Sequence, residues 1–470
     1  MRHMIKQIAK ITIDKSKIIL IAALVYGLSF ILGINLILPS FLLSLLVYLR
    51  IRQRYPASPA FGLLNITFLY VLILSSSYYV AKNGWQIFYI PFCVIPMLGA
   101  ILFNNLEIPL LLSAACGLTI GSIYGNNLNL GLMFMISGCI ASMLVLGARK
   151  RSVVIRSGVI IGIVQVILLM FAANFNFYYP FRYVLALLNG ICCGVIVIGV
   201  LPVFEYLFRT VTNISLLELA DFNHPLLQRL IMEAPGTYHH SLIVGNLAEA
   251  ACRAIKANAL LARIGAYYHD IGKLDKSEYF IENQDVHGNK HDALSPAMSK
   301  MVIMSHVKEG VELANKYNLN PKIVEFIAQH HGNSLVYYFY RRALEHLEEE
   351  QQVKEEGFRY PGPKPNTKET AVVLLADSVE AATRSLKDPG PAKIEEVVHK
   401  VINNKFIDGQ LDECELTLRD LEKISAVFIR ILSGIYHSRI TYPEDTKSEN
   451  NHKKSSKESS HQPGDQPKNS

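Results

Sequence analysis

A chain of 470 residues that is 51% hydrophobic and only 18% charged, with a mean hydropathy of +0.25, is too apolar for an ordinary soluble protein, so part of it belongs in lipid. Its formal net charge of +7 is modest and partly carried by loops beside apolar runs, without a basic stripe interleaved with aromatics, which argues against a nucleic-acid polymer as partner. Of its seven cysteines, Cys93, Cys116, Cys139, Cys192 and Cys193 lie in apolar runs, a pattern that excludes a disulfide framework.

Residues 1–17 form a basic N-terminal segment with Arg2, Lys6, Lys10, Lys15 and Lys17 against Asp14. No small-residue cleavage site follows, so the segment is expected to be retained. Residues 18–208 read as a transmembrane domain. Ile18 to Leu49 carries no charge and is either one long tilted span or a hairpin turning near Gly33, Asn35 and Pro39. Further runs follow at about Pro59–Ala81, Trp85–Phe103, Ile108–Tyr124, Leu128–Ala148, Val153–Ala173 and Tyr183–Phe208, each within reach of a spanning helix. The total is seven or eight spans. With the C-terminal half in the cytoplasm, both the cluster Arg149, Lys150, Arg151 and the cluster Arg50, Arg52, Arg54 fall inside. The link Asn174–Arg182, with Phe175, Phe177, Tyr178 and Tyr179, then lies outside and suits an interfacial aromatic belt. Asn104, Asn105, Glu107, Gln165 and Asn189 suit links and interhelical hydrogen bonds better than a transport path, because no chain of buried acids accompanies them.

Residues 209–236 read as a connecting helical segment, capped at Asn213 or Ser215, broken at Pro225 and closed by Pro235-Gly236. From 237 to 442 the pattern is amphipathic helices, and residues 443–470 have the composition of a disordered tail. The expected fold class is all-α, a polytopic membrane helix bundle followed by a cytoplasmic all-helical domain.

Within that domain, His240 shares a helix face with Ile243, Val244, Leu247 and Ala251, while His239 points about 100° away. His269-Asp270 ends the next helix before Gly272-Lys273. Ser295-Pro296 and Asn320-Pro321 open two more helices. The first turns His306 inward with Val302 and Leu313, and the second ends in His330-His331-Gly332. Asp377 directly follows the run Ala371–Ala376 in an almost wholly apolar helix, where an unpaired carboxylate needs a cation or a proton. One inward histidine is ordinarily core packing. Seven inward N and O ligands without a thiolate point instead to two divalent cations, with iron or manganese favoured over structural zinc. The expected division is His240, His269 and Asp377 on one ion, His306, His330 and His331 on the other, and Asp270 bridging. Lys273 is a candidate for transition-state charge, Arg384 for a second phosphate, and His239 and His291 for orienting ligands or donating a proton.

The pattern His240, His269-Asp270, Asp377 resembles the HD-domain phosphohydrolases. The phrases Asn223-His224-Pro225-Leu226-Leu227, Glu233 to Ser241, Tyr268 to Lys273, Phe280 to Gln284, His291 to Pro296 and Gln329 to Leu335 resemble the seven-transmembrane receptor HD family. The resemblance implies a cytoplasmic HDIG phosphodiesterase in a multi-pass cell membrane protein, opening cyclic di-AMP to linear pApA with lipid and the dinucleotide as partners and a homodimer as a candidate assembly. Members usually carry a large extracellular domain ahead of the spans, for which this sequence leaves no room before Ile18. The signature Gly-Tyr-Pro of cyclic di-GMP enzymes does not follow the double histidine. Two other readings are an HD phosphohydrolase for another nucleotide and a receptor whose domain binds nucleotide or metal without turnover.

Overall fold

The computed structural model describes residues 63–436, apart from 126, 174, 176, 177, 285–288, 346–353 and 388. The basic N-terminal segment, the run Ile18–Leu49 that decides between seven and eight spans, and the tail lie outside the described residues. Among the described residues the architecture is all-helical, and the only extended pairing is an isolated bridge between Leu335 and Arg359.

The membrane half comprises α1 (Leu63–Lys82), α2 (Val94–Phe103), α3 (Glu107–Ile123), α4 (Leu128–Val145), α5 (Arg151–Ala172) and α6 (Phe181–Phe208). Four of these, α1, α4, α5 and α6, are long and apolar enough to cross a membrane. The other two runs differ from expectation. Trp85–Phe103 breaks into a 3₁₀ turn at Ile87–Tyr89 and a helix of 10 residues, because Pro91 cannot continue a helix between them. Ile108–Tyr124 yields a helix of 17 residues, at the lower limit of a span. The carbonyls freed at the break are met from across the bundle, where the Asn189 amide donates to Phe88 O at 2.7 Å and to Ile90 O at 2.8 Å. Gln165 is buried against Cys93. All seven cysteines are free. Outward residues such as Ile155, Ile163, Ile167, Val195 and Val203 are apolar and exposed, as a lipid-facing surface requires.

Helices α5 and α6 approach through glycine. A Cβ on Gly162 would stand 2.4 Å from Leu187 O, and one on Gly190 would stand 2.2 Å from Gly162 N. Gly158 and Gly194 continue the same contact, so small residues four apart on both helices let the backbones touch.

Left-handed Arg209 (φ 49°) ends α6, and the connector is two short helices, α7 (Asn213–Leu219) and α8 (Pro225–Glu233). The cap of α7 falls on Thr212, whose hydroxyl accepts from Ser215 N. Glu205, buried in the last turn of α6, accepts from Thr212 N and Ser215 Oγ, both at 2.8 Å. Pro235-Gly236 does not close the connector. Pro235 is the first residue of α9 (Pro235–Ala254), where its missing N–H costs nothing.

The remaining helices are α10 (Ala259–Tyr268), α11 (Pro296–Lys316), α12 (Pro321–Gln329), α13 (Tyr337–Glu345), α14 (Lys368–Arg384), α15 (Pro391–Ile407) and α16 (Leu418–Ile435). Ser295 and Asn320 cap α11 and α12 ahead of their prolines. Helix α14 is apolar almost all round because it is the axis of the domain, with Ala371–Ala376 buried against Val244, Leu247 and Ala251 of α9 and Ile424 and Phe428 of α16.

Gly162→Leu should force α5 from α6 and lower stability by about 1–3 kcal/mol. Thermal unfolding of the full chain in detergent measures this, and an unchanged midpoint would mean that the glycine contact contributes nothing.

Candidate metal centre

Helix α9 delivers His240, the C-terminus of α10 delivers His269 and Asp270, α11 delivers His306, the end of α12 delivers His330 and His331, and α14 delivers Asp377. The structure brings all seven together. The nitrogen and oxygen atoms of His306, His330 and His331 lie within 4.8 Å of one another, as do those of His240, His269 and Asp377, and those of His269, Asp270 and His330.

Asp270 stands between the first two groups. Its Oδ2 is 3.1 Å from His269 Nε2 and 3.6 Å from His240 Nε2, while its Oδ1 is 3.5 Å from both His306 Nε2 and His330 Nε2. Asp377 divides in the same way, with Oδ1 3.1 Å from His240 Nε2 and Oδ2 3.6 Å from His331 Nδ1. His306 Nε2 and His330 Nε2 are 3.2 Å apart.

The helices also fix which ring nitrogen faces inward. His269 Nδ1 donates to Ala266 O at 2.6 Å and His330 Nδ1 to Ile327 O at 2.9 Å, and His306 makes the same bond to Ile303 O. Each partner is three residues earlier, so the end or body of a helix holds the tautomer and leaves Nε2 as the free donor atom. His240 is held differently, by Glu380 Oε2 at 2.6 Å from its Nδ1. Glu380 is buried one turn beyond Asp377. Its position three residues after Asp377 puts it on the same helix face, but nothing local to the sequence pairs it with His240.

Gly272 is needed for approach rather than for an unusual φ. A Cβ there would meet His306 O at 1.9 Å and Gly310 N at 2.5 Å, so the glycine lets the chain after Asp270 lie directly against α11. The 3₁₀ stretch Ile271–Tyr279 then carries Lys273 back onto Asp270 Oδ2 at 2.6 Å and onto Glu282 Oε1 at 2.8 Å.

Burial by itself would raise the Asp270 carboxyl, but His269 and the Lys273 ammonium beside it hold it well below the usual carboxylate range. Asp377 is likewise buried yet depressed, chiefly by the hydrogen bond from His240. Burial pushes His306 down to about 3 and His331 well down, keeping both neutral, the form that ligates a metal. Burial of His240 is outweighed by Asp377 and Glu380, which bring it up to about 9.

Within this cluster, the buried atoms His269 Nε2, Asp270 Oδ1 and Asp270 Oδ2 lack a hydrogen bond of ordinary geometry, and of them only Asp270 Oδ2 has a cation beside it, the Lys273 ammonium. Orphaned acceptors at the centre of a polar cluster are costly unless a cation fills the space, so the donor set fits divalent metal.

The other expected site residues lie elsewhere. Arg384 pairs with Glu380 at 3.6 Å and so reaches the centre only through His240. His291 is buried against Phe339 with Nε2 on Tyr279 O at 2.9 Å. His239 is exposed.

Residues 28–212 match the family described as 7TM receptor with intracellular HD hydrolase, and residues 237–382 match the HD domain. The chain is 43% identical over 328 residues to the cyclic-di-AMP phosphodiesterase PgpH of Bacillus subtilis, covering 68% of this chain and 46% of that protein. It is 38% identical over 391 residues to PgpH of Listeria monocytogenes, covering 82% of this chain and 54% of that protein. The chain thus spans about half the length of the curated relatives it matches. Crystal structures of the L. monocytogenes PgpH HD domain, one in complex with cyclic-di-AMP, are 47% identical with a TM-score of 0.44. That HD domain is covered in full, by 46% and 47% of this chain.

Glu380→Ala should free the His240 ring and lower metal affinity roughly 10–100-fold, whereas Glu380→Gln should lose less. Manganese titration of the full chain measures both. Equal affinity in all three proteins would show that Glu380 does not orient the ligand.

Proposed function

We propose that this chain, which belongs to the family of 7TM receptors with an intracellular HD hydrolase, is a membrane-anchored phosphodiesterase that opens cyclic di-AMP to linear pApA. The observation that carries the reading is Asp270, a buried carboxylate with one oxygen toward each of two ligand groups. The nucleotide is taken from the relatives, which are named for cyclic di-AMP.

His240, His269 and Asp377 would hold one divalent ion, His306, His330 and His331 the other, and Asp270 both. The absence of thiolates favours iron or manganese. When bound, the ions supply charge neutralisation for a phosphodiester and activation of water near neutral pH. The chain's own part is positional. Depressed carboxyls keep Asp270 and Asp377 anionic, neutral imidazoles at His306 and His331 keep lone pairs available, and the i−3 carbonyls hold the rings in place. Lys273 pins Asp270 by its ammonium, which the charges of Asp270 and Glu282 keep protonated against the opposing effect of burial.

Residues 18–208 would form the membrane domain, 209–236 the connector and 237–442 the catalytic domain, facing the cytoplasm. In support, the basic cluster Arg149, Lys150 and Arg151 lies at the connector end of the bundle. There Arg151 forms a bidentate pair with Glu218 of α7 at 2.6 and 2.9 Å. The exposed Tyr178 and Tyr179 lie at the other end of α5 and α6.

The full chain in detergent, loaded with manganese, should convert cyclic di-AMP to pApA, and Asp270→Ala should reduce turnover by at least 10³-fold, on the order expected for loss of a shared metal ligand. Chromatography of the products decides it. Binding of the dinucleotide by the loaded chain without cleavage would leave a receptor rather than an enzyme.

A further inference from the structure

The centre is not equally enclosed on all sides. The side chains of His240, His269, Asp270, His306 and His330 are 0–3% exposed, whereas Asp377 is 11% and His331 22% exposed. An entering molecule therefore meets the His331–Asp377 edge first.

Two groups outside the ligand set border that edge. Tyr360 stacks on His331 with centroids 4.3 Å apart and planes at 28°, and it meets the His306 ring edge-on at 6.2 Å. Lys405, in the last turn of α15, donates to Ser334 Oγ at 2.7 Å. Ser334 lies on the turn after His331, where its N–H donates to His331 O at 3.1 Å, and its carbonyl accepts from Tyr360 N at 3.0 Å. Lys405 and Tyr360 are thus tethered through one residue.

Lys405 has only that neutral hydroxyl as a close partner. Among the described residues no carboxylate lies within ion-pair distance of it, because nearby Asp408 is held by Arg359 at 2.8 Å and by Gln410 at 2.7 Å. Lys273, by contrast, is neutralised by two carboxylates. Burial draws the Lys405 ammonium below its ordinary range, and Asp377 is close enough to oppose that by charge. A desolvated cation without a counter-ion, beside the open edge of a site, is a place for an anion.

We propose that Lys405 is the cation that takes the substrate's phosphate at the open edge of the centre, with the Tyr360 hydroxyl donating a second hydrogen bond to the same group. The assignment rests on the phosphodiesterase reading above. It makes Lys405 a substrate-binding residue and not a support for His331.

The test uses the full chain in detergent, loaded with manganese, as parent, Lys405→Met, Lys405→Arg and Tyr360→Phe. Metal content, calorimetric affinity for inorganic phosphate, and KM and kcat for cyclic di-AMP are measured on each. Lys405→Met should keep the parent's metal content, bind phosphate roughly tenfold or more weakly and raise KM by a similar factor, as loss of a charge-assisted hydrogen bond predicts. Lys405→Arg should recover most of that loss, and Tyr360→Phe should lose a few-fold. Parental phosphate affinity in Lys405→Met overturns the proposal. So does loss of metal in that variant, since Lys405 would then be a prop for the ligand turn. If the parent does not cleave cyclic di-AMP, the phosphodiesterase reading fails by itself, and the phosphate titration still decides the role of Lys405.

Discussion

The structure depends on one buried carboxylate placed where no buried carboxylate is stable alone. Asp270 has no solvent, and its nearest groups are four imidazoles and one ammonium. An anion in such a position repels or collapses unless cations face both of its oxygens. The packing of the domain follows from that need. Gly272 brings the chain after Asp270 onto α11, α14 runs through the core to place Asp377 opposite, and backbone carbonyls orient three of the surrounding rings.

The same residues connect the centre to the bundle. Tyr268, immediately before His269, donates its hydroxyl to Leu219 O at 2.7 Å at the end of α7. The start of α7 is held by Glu205 from α6, its last turn by Arg151 from α5, and Asn320, which caps α12, also donates to Thr210 O at 3.0 Å. Helices α10 and α12 both end in residues of the cluster, and α5 and α6 are locked by their glycine contact. The chain of contacts from the membrane helices through the connector therefore ends two residues before Asp270. The path consists of hydrogen bonds and ion pairs, which have discrete arrangements, and not of a soft linker.

Much of this was legible in the sequence, because the chemistry forced rare choices. Histidines on apolar helix faces, an aspartate directly after Ala371–Ala376 and the Ser-Pro and Asn-Pro helix openings are all improbable unless something needs them, and each named its residue directly. Length and hydropathy, which are local properties, named the four long apolar helices α1, α4, α5 and α6, but not the break that Pro91 makes in Trp85–Phe103. What escaped detection depends on contacts between distant segments. Glu380 looks like any helical glutamate until His240, 140 residues earlier, folds against it. Pro235-Gly236 reads as a turn in isolation and becomes a helix start only through its neighbours. Arg384 shares a face with Asp377, but a closer carboxylate holds it. Lys405 and Tyr360 carry no local mark at all, because their position at the open edge is created by the turn that follows His331.

The central claim is that Asp270 joins two metal ions into one centre. Electron paramagnetic resonance of the full chain loaded with manganese, with the metal content of the same sample, tests it most directly. The account predicts two ions per chain with an exchange-coupled spectrum, and loss of that coupling in Asp270→Ala. A single ion per chain, or two ions with uncoupled spectra in the parent protein, would contradict it.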